Sequence, residues 1–200
     1  MTDARDRDPD RAPERESGPD PDLPPPPAAV VTVAVVVYGL MITAALVWLS
    51  WRDRLGELPR GALGQGGLWG GAGAGLATGL AFAGLLALAA RLPPIARCER
   101  RFASLLGPLS EAAVLALSLG AAIAEELFFR LAVQDAIGPI GAVACYVVVN
   151  TGPGFWPWLP VAVAAGALFS GLVHAGCGLF AATLAHALIN YLTLRRILPT

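Results

Sequence analysis

Five residues stand out because they are polar or charged in otherwise apolar sequence: Glu125, Glu126 and Arg130 in one stretch, His186 and Asn190 in another. An ionisable side chain inside a bilayer costs on the order of 2.5–3.5 kcal/mol on insertion scales, so its presence there calls for a functional reason. Helical spacing separates the roles. Glu126 and Arg130 stand i,i+4 with the acid on the N-terminal side, the better orientation for a pair. Glu125 points about 100° away around the helix and has no such partner. A carboxylate without a dedicated counter-ion suits a general base. His186 and Asn190 are also i,i+4, and two donors facing one direction can hold a developing oxyanion. The same residues fit equally a buried polar network that only locks helices together.

Membrane-length segments must carry these groups, and the chain supplies them. It has 200 residues, 56% hydrophobic and 14% charged, against about a quarter charged in soluble domains. Residues 1–27 are polar and mixed in charge, ending in Pro24-Pro25-Pro26-Pro27, and read as a disordered tail. They do not read as a signal peptide. Residues 28–101 read as two N-terminal transmembrane helices, Ala28 to Trp51 and Gly66 to Ala90. Trp48 and Trp51 suit an interfacial belt. The second helix carries Gly67, Gly71, Gly75 and Gly79, a small-residue ridge for close helix packing. Residues 102–200 read as the functional core, with Leu109 to Val133, a shorter run from Ile140 to Asn150, Val161 to His174, and Gly178 to Leu194. Thr151 to Trp158 is too rich in Gly and Pro for regular helix. The fold class is therefore all-α, a polytopic membrane bundle of about six segments with one short or broken near residue 150.

With the N-terminus inside, the tail, an Arg91–Arg101 loop and Arg195-Arg196 hold ten arginines. The opposite loops hold Arg52, Arg54 and Arg60. That bias places both termini in the cytoplasm of a multi-pass plasma-membrane protein. A formal net charge of -1, with no basic stripe read along the sequence, gives no reason to expect a nucleic-acid partner. Cys98, Cys145 and Cys177 show no CxxC spacing and read as small packing residues. No metal or cofactor is expected, since zinc needs about three converging ligands.

Glu125-Glu126-Leu127-Phe128-Phe129-Arg130 matches an EExxxR motif and His186-Ala187-Leu188-Ile189-Asn190 an HxxxN motif. In these two motifs, and over roughly Leu109 to Arg196, the chain resembles the CAAX-protease and bacteriocin-processing family of intramembrane glutamate endopeptidases. The resemblance implies that Glu125 activates water with help from a second-motif histidine. It further implies that His186 and Asn190 stabilise the tetrahedral intermediate and that Arg130 supports Glu126. Leu131 stands where the family usually has glycine.

The second motif, an aromatic followed four residues later by histidine, has two registers here. In one, His174 is the histidine, with Phe169 five residues before it. In the other, Tyr146-Val147-Val148-Val149-Asn150 fills the motif with asparagine in place of histidine. Depth favours the second. At ~1.5 Å per residue, Glu125 and Asn150 each lie about 15 Å from the turns that bound their helices. His186 lies about 12 Å deep on the same reckoning, and His174 only about 3 Å. Asparagine can bind water but cannot take up its proton. The expected function is peptide hydrolysis by glutamate-activated water on a peptide or membrane-anchored protein substrate within the lipid bilayer. The alternative is a catalytically impaired relative acting as a membrane binding or scaffold protein.

Overall fold

The computed structural model describes residues 26–198, so the expected tail over residues 1–25 lies outside the described residues. Pro26 and Pro27 do not belong to a tail, because Pro27 already opens the first helix. Proline suits that position, where its missing N–H is unpaired in any helix.

Among the described residues eight α-helices follow in order: α1 (Pro27–Trp51), α2 (Leu58–Leu63), α3 (Gly67–Ala89), α4 (Pro93–Leu106), α5 (Glu111–Glu126), α6 (Gln134–Asn150), α7 (Leu159–His174) and α8 (Gly178–Ile197). No strand occurs among the described residues. Four helical stretches among the described residues are long and apolar enough to cross a membrane: Ala28–Trp51, Gly61–Ala89, Glu111–Asn150 and Trp156–His174. The outer surface is correspondingly apolar, with Val35, Leu40 and Val47 more than half exposed on α1 alone. The chain is an all-α, polytopic membrane bundle.

The Glu111–Asn150 stretch is not one rod. Gly138 breaks its helical backbone at φ 76°, ψ 173°, with Pro139 next in sequence. That φ suits a residue without a Cβ. A straight helix would hold Glu125 and Asn150 about 37 Å apart, yet their side chains meet at 3.4 Å. The stretch therefore doubles back, and α6 returns alongside the end of α5. Before the reversal, Leu127–Val133 widens into a π turn that carries Arg130, a feature often found at functional positions. On the other side of the bundle, Gly71, Gly75 and Gly79 of α3 are buried. A Cβ at Gly75 would stand 2.7 Å from the Ala181 carbonyl oxygen, and one at Gly79 3.0 Å from Ala185 Cα. The glycine ridge thus lets α3 lie directly on α8, which holds that helix and its His186 in place.

The run from Arg91 to Arg101, expected as a loop, is mostly helix α4. Two prolines open it at Pro93 and Pro94, and Ile95 and Cys98 are buried along one side. Charge density had disguised an amphipathic helix as a polar connection. Thr151 to Trp158 is irregular as expected, closed by a short 3₁₀ turn at Trp156–Trp158. At the opposite end of the bundle, Asp135 gathers Trp48, Arg52 and Arg54. It accepts from the Trp48 indole at 3.1 Å, lies 3.4 Å from Arg52 and pairs with Arg54. This cluster ties the end of α1 to the start of α6.

Candidate functional site

The N-terminus of α5 is fixed by Ser110, whose hydroxyl accepts from the Ala113 amide at 3.2 Å. Four turns later the helix delivers the two adjacent glutamates to different surroundings. Glu126 is fully buried. One of its carboxylate oxygens accepts from Arg130 Nε at 3.0 Å, and the other lies 2.9 Å from His186 Nδ1. Arg130 lies over the Tyr146 ring at 5.4 Å from its centroid, a cation–π contact. Its two terminal nitrogens are buried with no hydrogen-bond partner among the described residues. Arg130 also lines a second cavity of about 310 Å³ near Asp135.

Glu125 faces elsewhere. It lines a cavity of about 180 Å³ together with Tyr146, Asn150, His186 and Asn190. The Asn150 amide donates to Glu125 Oε2 at 3.4 Å and to the Tyr146 carbonyl at 3.0 Å. Both of its N–H groups are thereby used, and its carbonyl oxygen is left as an acceptor. Asn190 reaches the same cavity one turn beyond His186 and makes no side-chain hydrogen bond among the described residues. Phe82, Leu86, Trp158 and Phe169 supply apolar wall. The volume is many times what one water needs.

The structure brings Glu125, Glu126, Arg130, Asn150, His186 and Asn190 together and leaves His174 out. His174 ends α7 as an exposed side chain and does not line the cavity. Phe169 nevertheless belongs to the site, stacked on the His186 ring at 4.6 Å and 12°. No group of three His, Cys, Asp or Glu side chains among the described residues converges as a metal site.

Two features went unread in the sequence. Glu126 holds His186 as well as Arg130, an interhelical contact that no spacing within one helix reveals. Glu99 and Phe102 of α4, the helix that takes in most of the expected loop, also line the cavity.

The histidine contact changes the available chemistry. A carboxylate oxygen accepts, so in the 2.9 Å contact His186 Nδ1–H donates to Glu126. The neutral ring then offers Nε2 as an acceptor. It becomes a donor to an oxyanion only after taking up a proton. The expectation of two equivalent donors, His186 and Asn190, therefore fits only the imidazolium form. Comparison with family models, curated proteins and solved structures gives no match for this chain.

Proposed function

We propose that this chain is an intramembrane endopeptidase that hydrolyses peptide bonds with glutamate-activated water, as its resemblance to the CAAX-protease and bacteriocin-processing family implies. One observation carries the reading. Of two adjacent glutamates, the fully buried Glu126 is locked by Arg130 and His186, while the half-buried Glu125 opens on a polar-floored cavity beside Asn150 and His186. A purely structural network has no need to leave one carboxylate at a cavity.

In the proposed reaction Glu125 takes a proton from water as the water oxygen bonds to the scissile carbonyl carbon. The negative charge that develops on the carbonyl oxygen is met by the Asn190 amide and by the Nε2–H of His186 when the ring enters the reaction already protonated from solvent, a proton it keeps throughout. Collapse breaks the C–N bond, and the proton held by Glu125 passes to the leaving amine. Asn150 orients Glu125 and the water but carries no proton itself. Substrate reaches the cavity from the membrane, as a peptide or a membrane-anchored protein.

The proposed topology has six crossings with both termini cytoplasmic. Four stretches qualify by length and hydropathy. One of these reverses at Gly138, which adds a crossing, and α8 supplies the sixth.

The second reading, an impaired relative that binds a membrane segment without cleaving it, is favoured by Asn150. That amide occupies the place beside Glu125 where a proton-carrying group would assist.

A single assay separates the two: purified protein with candidate membrane peptides, products read by mass spectrometry in ¹⁸O-water. Cleavage that incorporates label, is lost in Glu125→Gln and survives in His174→Ala supports the endopeptidase. General acid–base help is worth roughly 10²–10⁴-fold, so Asn150→His should raise the rate on that order. Loss of cleavage in His174→Ala would overturn the assignment of the cavity. Absence of cleavage by wild type and Asn150→His alike would leave the binding role.

A further inference from the structure

Helix α4 has two faces of opposite character, and only the inner one is accounted for by the cavity. On the inner side Ile95, Cys98 and Glu99 are buried, and Glu99 and Phe102 reach the cavity wall. On the outer side Arg97, Arg100 and Arg101 are exposed, with exposed Ser104 completing an i, i+3, i+4, i+7 stripe. None of the three guanidinium groups has a carboxylate partner among the described residues. Arg101 is partly held, at 3.5 Å from the Gly154 carbonyl oxygen and 5.0 Å above the Phe155 ring. The one acid of the helix, Glu99, points inward and pairs with Arg196.

The helix is also confined. Membrane-length α3 ends immediately before it, and α5 begins immediately after. Both ends of α4 are therefore held at one edge of the apolar bundle, and its 14 residues span about 21 Å across that edge. Exposed Leu92 and Leu105 flank the arginines. Basic side chains on one face, leucines beside them and a position at the apolar boundary are the properties of an interfacial helix. Beside the stripe, a groove of about 240 Å³ lies between α4 and the end of α8, lined by Ala96, Glu99, Arg100, Arg196 and Ile197. Arg196 already answers the Glu99 charge there, which leaves Arg100 for an anion.

We infer that the Arg97–Arg100–Arg101 face of α4 is a docking surface for anionic phospholipid headgroups of the bilayer around the protein. Three guanidinium groups with no carboxylate partner among the described residues call for counter-anions at a bilayer edge, and lipid phosphates are there at high local concentration. Because the same helix presents Glu99 and Phe102 to the cavity, headgroup binding fixes the position of the cavity roof. The inference rests on the membrane-spanning fold and not on the proteolytic reading.

Its test uses the full chain in phosphatidylcholine vesicles containing a trace of spin-labelled lipid. The fraction of label immobilised at the protein is compared for phosphatidylglycerol and phosphatidylcholine. Wild type should immobilise phosphatidylglycerol preferentially, and salt should erode the preference. Arg97→Gln, Arg100→Gln and Arg101→Gln together should abolish it, each arginine contributing up to about fivefold. Arg195→Gln with Arg196→Gln should leave most of it, since those two arginines are paired with Glu111 and Glu99. An unchanged preference in the triple variant would overturn the inference. So would equal loss in the Arg195/Arg196 variant, which would mean diffuse charge at that end. If the triple variant does not fold, the three single variants decide on the same terms. A wild type with no lipid preference that instead binds a soluble acidic peptide would make the partner a protein, and would also overturn it.

Discussion

Arg130→Ala should destabilise the bundle far more than Glu125→Gln, and the structure sets the size of the difference. The Arg130 and Glu126 side chains are both 0% exposed, joined at 3.0 Å. Removing one partner of a buried pair leaves the other charge desolvated and typically costs about 3–5 kcal/mol. The lower end applies here for a stated reason. Two Arg130 nitrogens are already without partners, and each buried unmet donor costs about 1–3 kcal/mol in the native protein. Deleting the arginine relieves that burden while exposing Glu126, so about 3 kcal/mol is expected, a factor of more than a hundred in the folding equilibrium. Glu125 has only the 3.4 Å contact from Asn150, and glutamine keeps its shape, so its loss should stay within about 1 kcal/mol. Replacing both charges, as Glu126→Gln with Arg130→Met, should cost less than Arg130→Ala alone, because no orphaned charge remains and the glutamine oxygen still accepts from His186. Reversible unfolding of the four proteins in mixed detergent and SDS reads the differences directly. Equal destabilisation by Glu125→Gln and Arg130→Ala would refute the division of labour between the two glutamates.

Gly75→Ala should cost about 1–3 kcal/mol by forcing α3 away from the α8 backbone, since the new Cβ would meet the Ala181 carbonyl oxygen at 2.7 Å. Gly73→Ala, with nothing within 4 Å of its Cβ, should be neutral or stabilising by up to about 1 kcal/mol in the same unfolding experiment. For topology, reporter fusions after Thr200 and within the Arg52–Arg60 segment should report opposite sides of the membrane. Finding both on one side would reduce the six proposed crossings.

The parts of this molecule that were legible in its sequence are those governed by rigid helical geometry. Glu126 faces Arg130 because four residues of helix bring side chains to one face, whatever surrounds them. Glu125, Asn150 and His186 meet because 1.5 Å per residue puts them at one depth, and His174 lies too close to its turn to join them. Helix α4 was hidden because its arginines lower its mean hydropathy. Its apolar residues recur with helical period all the same, and an amphipathic reading of Pro93–Leu106 could have found it. The glycine ridge was visible as a ridge, but nothing in it named α8 as the partner. That assignment depends on how the helices are arranged around one another, which periodicity does not encode.

The contact between His186 and Glu126 was the least legible feature and has the largest chemical consequence. Sequence spacing pairs Glu126 with Arg130 and stops there, because the third partner arrives from a helix 60 residues later. Once Nδ1 donates to that carboxylate, the only ring nitrogen left for the cavity is Nε2, an acceptor in the neutral ring. Glu126 and Arg130, neither of which lines the cavity, thus set this tautomer. In the proposed reaction His186 therefore donates to the oxyanion only when the ring is already protonated from solvent, while Glu125 takes the proton of the attacking water. Water's proton thus has an acceptor whatever stands at position 150, which makes asparagine there compatible with hydrolysis. The imidazole absent from α6 is present on α8, across the same cavity, with a Glu126 oxygen 2.9 Å from its Nδ1 to stabilise the imidazolium that meets the oxyanion.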